Sequence, residues 1–148
     1  MESIVAKSIA VFGAGPALGR AVAERYAREG YDVVLVARRQ EPLDALAKEL
    51  AAAGATAHVI TADLSDTGGV PRLAGQIRAV TGDLDAFYYG AAGNAFVPVT
   101  SLTVQGAQDL MRLGLYTLLA LVGEFLPAML ARGDGAILSE RLIIAGAG

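Results

Sequence analysis

The sequence predicts a doubly wound α/β domain, built on a parallel sheet of about five strands in the order 3-2-1-4-5. Three observations predict it. Short apolar runs rich in β-branched residues alternate with segments of helical periodicity, the pattern of a parallel sheet covered on both faces. The first apolar run breaks into three glycines, Gly13, Gly15 and Gly19, directly before the first helical segment. The chain has 148 residues, 54% of them hydrophobic and 18% charged, which is enough to bury one sizeable core and too little for a second full domain. A single domain over residues 1–148 is expected.

The first element is the strand in SIAVFGAGPALGR, Ser8 to Arg20, which ends in the glycine loop. Glycine lets the backbone turn sharply and approach a ligand, and the N-terminus of the helix beyond offers unpaired N–H groups and a positive dipole end to a pyrophosphate. Arg20 to Glu29 reads as that helix, with Gly30 at its C-cap, and Tyr31 to Val36 as the second strand. Strand, helix and strand fit within about thirty residues, as a right-handed crossover requires. Pro42 to Ala53 is a second helix opened by proline and closed by Gly54, and Thr56 to Ala62 is a third strand. Val70 to Val80 is a third helix, entered near Pro71. Leu84 to Tyr89 is a fourth strand, ending at Gly90-Ala91-Ala92-Gly93. Asn94 to Leu102 reads as a loop, Thr103 to Arg132 as mostly one long helix, and Gly135 to Ser139 as the start of a fifth strand.

Charge and composition exclude several classes. The net charge is -3 and the 12 basic residues are scattered, so a nucleic-acid footprint is not expected. The start, MESIVAKS, lacks a basic segment followed by a long apolar core, and the longest apolar run, Leu113 to Gly123, is too short to span a bilayer. A cytoplasmic chain without a membrane partner is expected. Zero cysteines exclude disulfides, cysteine nucleophiles and thiolate metal sites, and no metal site is expected. The single histidine, His58, lies in the third strand as a packed or surface residue. The long helix is apolar nearly all round, so it is either buried on more than one side or packed against a second copy of the chain as a homodimer.

The end of the second strand selects the nucleotide. An acidic side chain there takes ribose hydroxyls, whereas arginine accommodates a 2′-phosphate. Here Arg38 and Arg39 follow Ala37, with no acid until Glu41. Guanidinium pairs with phosphate through charge-assisted, bidentate hydrogen bonds, so Arg38, helped by Arg39, favours NADP(H) over NAD(H). The alternative is a pair of solvated surface arginines.

These residues together resemble the N-terminal, Rossmann-like part of a short-chain dehydrogenase/reductase, over Ser8 to about Leu138. The resemblance rests on Gly13 to Gly19 as the glycine loop, Asp63-Leu64 after the third strand and Gly82-Asp83-Leu84-Asp85 before the fourth. Ala91-Ala92-Gly93 stands where the family has Asn-Ala-Gly, and Leu126-Pro127-Ala128-Met129 lies near the end of the long helix. The resemblance implies that Gly13, Gly15 and Gly19, with Ala17 and Leu18 in the same loop, approach the pyrophosphate. It implies further that Arg38 and Arg39 hold the 2′-phosphate, that Asp63 and Leu64 flank the adenine, and that Ala91, Ala92 and Gly93 lie by the nicotinamide-side ribose. Ala17 stands where the family usually has glycine. For Asp63 the residues alone also allow a local cap, since ADLSD can hydrogen-bond its own backbone.

The family's proton donor is a tyrosine with a lysine four residues later, assisted by serine and asparagine. The sequence contains no Tyr-x-x-x-Lys: its tyrosines are Tyr26, Tyr31, Tyr88, Tyr89 and Tyr116, and its lysines are Lys7 and Lys48. The asparagine's place falls near Gly114; Asn94 neighbours the nicotinamide loop but stands elsewhere. Ser139 ends the fifth strand earlier than the family's serine. No catalytic residue is assigned, and the C-terminal tail reads as altered or cut, which leaves one face of the fifth strand and the long helix uncovered. Three readings follow: an NADP(H)-dependent oxidoreductase acting on a small carbonyl or alcohol, a non-catalytic nucleotide-binding or regulatory module, and a methyltransferase using S-adenosylmethionine. The third ranks last, because Arg38 stands where that chemistry wants an acid.

Overall fold

In the computed structural model of the chain, residues 5–15, 17–91 and 97–140 are described. The elements run β1 (Ser8–Phe12), α1 (Leu18–Arg28), β2 (Asp32–Ala37), α2 (Gln40–Ala52), β3 (Ala57–Thr61), α3 (Val70–Thr81), β4 (Ala86–Tyr89), α4 (Val104–Met111), α5 (Thr117–Arg132) and β5 (Ala136–Ser139). Every strand pair is parallel and the order is β3-β2-β1-β4-β5. The chain therefore leaves β1 toward β2 on one side and returns to β4 on the other. That reversal is the topological switch point at which such sheets open a crevice.

Alternation along the strands divides the core between the two sheet faces. Ile9, Val11, Val33, Leu35, Ala86 and Tyr88 face α1 and α2. On the opposite face Phe12, Val34, Phe87 and Tyr89 pack with Leu73 and Ile77 of α3 and with Leu121, Phe125 and Met129 of α5. Phe87 meets Phe12 edge-on at 5.6 Å between ring centroids. Because β1 and β2 are covered on both faces, their sequences are continuous apolar runs rather than alternating ones.

Two differences from the sequence expectation have physical causes. Helix α2 starts at Gln40, two residues before Pro42, because proline is tolerated anywhere in the first turn, where no N–H has an intrahelical partner. The long helix is continuous from Val104 to Arg132 but carries a π turn at Arg112–Tyr116, between α4 and α5. Its 29 residues have the length and apolarity of a bilayer span, more than the run Leu113 to Gly123 suggested. Its inner stripe, Thr117, Leu121, Phe125 and Met129, is nevertheless packed on the sheet, as a core helix packs. Gly133, in the left-handed region at φ 72°, ends it. The outward side keeps Leu115, Tyr116, Leu119 and Leu130 exposed, so the helix is buried on one stripe rather than all round. In β5 Ala136, Ile137 and Ser139 are exposed and Leu138 is half-buried.

Candidate cofactor site

The glycine loop lies at the switch point, and its three glycines do three different jobs. Phe12, the last residue of β1, accepts a hydrogen bond from Gly90 N (2.9 Å) on the β4 side, while Gly13 N donates to Val36 O (2.9 Å) on the β2 side. Gly13 has φ 82°, and a Cβ there would lie 2.8 Å from Ala91 N. Only glycine lets the loop pass so close to the end of β4. A Cβ on Gly19 would stand 2.5 Å from Gly13 O, so this glycine seats α1 on the loop. Gly15 is exposed, and among the described residues the nearest neighbour of a Cβ there is Gly13 O at 3.9 Å, so none of them closes its outer side to a ligand. Ala17 is the N-cap of α1, and among the described residues no side chain caps that terminus. Arg20 N donates to Gly15 O (3.1 Å), and the dipole's positive end lies at this terminus. Ala17 and Leu18 are exposed beside it.

The ends of β2 and β3 bring together the next group. Ala62 N donates to Ala37 O (3.0 Å), which extends the ladder by one step and sets Arg38 and Asp63 side by side. Asp63 Oδ1 accepts from Ser65 N (3.0 Å) and from Ser65 Oγ (2.6 Å). These bonds, with a smaller contribution from the Arg38 charge, hold the Asp63 carboxyl below its ordinary pKa. The local cap that the ADLSD segment allowed is thus formed, and it leaves Asp63 ionised next to a cation. Arg38 and Arg39 are both exposed, and neither is in an ion pair among the described residues. Arg39 is the N-cap of α2. Leu64 is buried. At the end of β4, Ala91 is half-buried against Gly13, whereas Ala92, Gly93 and Asn94 lie outside the described residues.

Two tyrosines stand at the β4 end of the crevice. Tyr88 Oη donates to Glu140 Oε2 (3.1 Å), and burial first, then that carboxylate, pushes the phenol up to about 12. Tyr89 Oη donates to Leu113 O in the π turn, and burial pushes this phenol up to about 12 as well. A tyrosine acting as an acid near neutral pH needs its pKa lowered, so neither takes the place of the family's proton donor. Gly114 lies within the π turn, and a Cβ there would meet no atom of the described residues within 4 Å. Ser139 pairs in register with Tyr89 and is exposed. His58 is half-buried in β3, and among the described residues no metal-holding cluster of side chains occurs. A hollow of about 520 Å³ runs along α2 and the outer edge of β3, away from the glycine loop.

This geometry meets a clear set of known proteins. A family model described as short chain dehydrogenase matches residues 7–139. The chain belongs to the short-chain dehydrogenase family. An uncharacterized oxidoreductase of Mycobacterium tuberculosis is 32% identical over 129 residues, covering 87% of this chain and 49% of its own length. A fatty acyl-CoA reductase of the same organism is 30% identical over 139 residues, covering 92% and 47%. This short-chain dehydrogenase chain thus spans about half the length of the curated relatives it matches. Among solved structures, a metagenomic short-chain oxidoreductase in complex with NADP superposes with a TM-score of 0.84 at 29% identity, over 93% of this chain and 62% of that one. L-Sorbose reductase from Gluconobacter frateurii, complexed with NADPH and L-sorbose, gives a TM-score of 0.86 at 27% identity, over 95% and 54%.

Sequence reasoning missed one polar group of this short-chain dehydrogenase. Thr117 is fully buried and donates to Leu64 O (2.7 Å), and its oxygen lies 2.9 Å from Thr67 Oγ1. Its one signal was a hydroxyl residue inside the apolar run that follows Leu113. A buried hydroxyl needs a partner, but the sequence does not say which.

Proposed function

We propose that the chain binds NADP(H) and serves an oxidoreductase acting on a small carbonyl or alcohol substrate. The glycine loop at the switch point carries this reading: it closes against β4 at Gly13, seats α1 at Gly19 and stays open at Gly15. Gly13, Gly15 and Gly19, with Ala17 and Leu18, would border the pyrophosphate at the uncapped N-terminus of α1. Arg38, with Arg39 beside it, would hold the 2′-phosphate, Asp63 and Leu64 would flank the adenine, and Ala91, Ala92 and Gly93 would lie by the nicotinamide-side ribose. The bound cofactor supplies or accepts the hydride. Relatives named as oxidoreductases, and neighbours solved with NADP or NADPH, support the class. The exposed Leu115, Tyr116, Leu119 and Leu130 support a homodimer built through the long helix.

A second reading has its own observation. By the family resemblance the asparagine's place falls near Gly114, and both tyrosines near the crevice have raised pKa values, which favours binding without turnover. Calorimetric titration of NADPH and NADH into the purified chain, at one salt concentration, tests the first reading. NADPH should bind at least about tenfold more tightly, and Arg38→Ala should remove that margin, as the loss of one charge-assisted contact implies. Equal affinities that Arg38→Ala leaves unchanged would refute the 2′-phosphate role. Absence of binding by either nucleotide would refute the cofactor reading, and NADPH binding with no oxidation in the presence of carbonyl substrates would favour the second reading.

A further inference from the structure

We infer that Thr117 is a positioning residue that clamps the loop carrying Asp63 and Leu64 onto the π turn of the long helix, and so sets the adenine end of the cofactor site. The adenine role rests on the NADP(H) reading above; the clamp itself rests on geometry. Thr117 is 0% exposed and opens α5 directly after the π turn. Its hydroxyl has one proton, which goes to Leu64 O at 2.7 Å, so in the 2.9 Å contact with Thr67 Oγ1 the Thr67 hydroxyl is the donor. One buried oxygen on the helix thereby holds a carbonyl and a hydroxyl three residues apart on the loop.

Elsewhere the loop is anchored by the Leu64 side chain in the core and by Ala62 N on Ala37 O, and its other side-chain hydrogen bonds stay within it. Asp63 accepts from Ser65, and Asp66 Oδ1 accepts from Gly69 N (3.2 Å) to cap the 3-10 turn at Thr67–Gly69. Those bonds shape the loop without reaching the long helix. Thr117 ties the loop by hydrogen bond, across more than fifty positions of sequence, to a turn of helix that Tyr89 holds against the end of β4 through Leu113 O. Asp63 lies next to Leu64 and beside Arg38, so the clamp adds to the Ala62–Ala37 bond in holding the loop's backbone beside the end of β2.

The test compares Thr117→Val with Thr117→Ser in the full chain. Valine keeps the volume and removes the hydroxyl, which strands the Leu64 carbonyl; serine keeps the hydroxyl. Two quantities are read: amide hydrogen exchange over residues 64–69 against that at the glycine loop, and the affinity for 2′,5′-ADP by calorimetry. Thr117→Val should speed exchange over 64–69 about tenfold with the glycine loop unchanged and weaken 2′,5′-ADP about fivefold, and Thr117→Ser should stay within about twofold of wild type on both, as loss or retention of one buried bond implies. Unchanged exchange over 64–69 in Thr117→Val overturns the clamp, as does an equal rise in both loops, which marks general destabilisation. Faster exchange at undiminished 2′,5′-ADP affinity overturns the role at the adenine end. A wild-type chain that takes up neither NADPH nor 2′,5′-ADP refutes the cofactor reading instead, and the exchange data then decide the clamp alone.

Discussion

The β1–β2 half of the sheet and the β4–β5 half are built on the same alternation but hold their shape differently. Around β1 and β2 the strands are buried on both faces, and the candidate pyrophosphate site is made of backbone: three glycines and a helix terminus. Around β4 and β5 the outer strand is largely exposed, and the geometry depends on side-chain hydrogen bonds from Tyr88, Tyr89 and Thr117. A site made of backbone is written in the sequence as residue type at fixed spacing. A site held by side chains depends on which distant carbonyl each hydroxyl meets.

The difference should appear first in stability. Leu35→Ala, in the fully buried β2, should cost about 2–5 kcal/mol, whereas Ile137→Ala, in β5, should cost about 0.5 kcal/mol. Denaturant titration of both variants checks the contrast; equal losses would mean that β5 belongs to the same cooperative core as β2.

The next effect belongs to the β4 side and to alkaline pH. Tyr89 has its folded pKa raised from 10 to about 12, so the stability it contributes is complete below pH 10 and lost as pH rises toward 12. The loss should amount to about 2–3 kcal/mol, and Tyr89→Phe should remove this share of the alkaline decline. Unfolding free energies measured between pH 8 and 12 give the comparison, and parallel curves for the two proteins would contradict it.

The smallest effect lies on the β2–β3 side. The Asp63 carboxyl has its pKa lowered, so its contribution is present above the unfolded value near 3.9 and disappears as pH falls through the lower folded one. Asp63→Asn keeps an oxygen for Ser65 and removes the charge, so at pH 7 the variant should be less stable by under about 1 kcal/mol, given the exposure of the site. Below the carboxylate range the gap should close; a gap that persists at pH 2 would assign it to the hydrogen bonds rather than the charge.

Much of this was legible in the sequence, for identifiable reasons. The βα alternation and the glycine loop follow from apolar periodicity and from the short list of residues able to turn at Gly13, and the strand order follows from the doubly wound fold class they define. Arg38 and Asp63 could be placed at neighbouring strand ends because each follows directly on a strand. The π turn was not legible, since Gly114 within Arg112 to Tyr116 is tolerated in an ordinary helix too, and Tyr89, which bonds Leu113 O in the turn, does not announce its partner. The extent of the long helix was legible, since Thr103 to Arg132 reads as mostly one helix and the helix runs from Val104 to Arg132, its polar residues at Gln105, Gln108 and Asp109 breaking only the apolar run.

The most direct test of the central claim uses Gly15→Val, because a Cβ there meets no described residue closer than 3.9 Å and stands in the space assigned to the pyrophosphate. NADPH affinity by calorimetry and the thermal midpoint should be recorded on the same samples as wild type. The account predicts NADPH binding weakened at least about thirtyfold, as expected when a ligand loses its backbone cradle, with the midpoint unchanged. Wild-type affinity in the variant would contradict it, and would place any nucleotide elsewhere on the molecule.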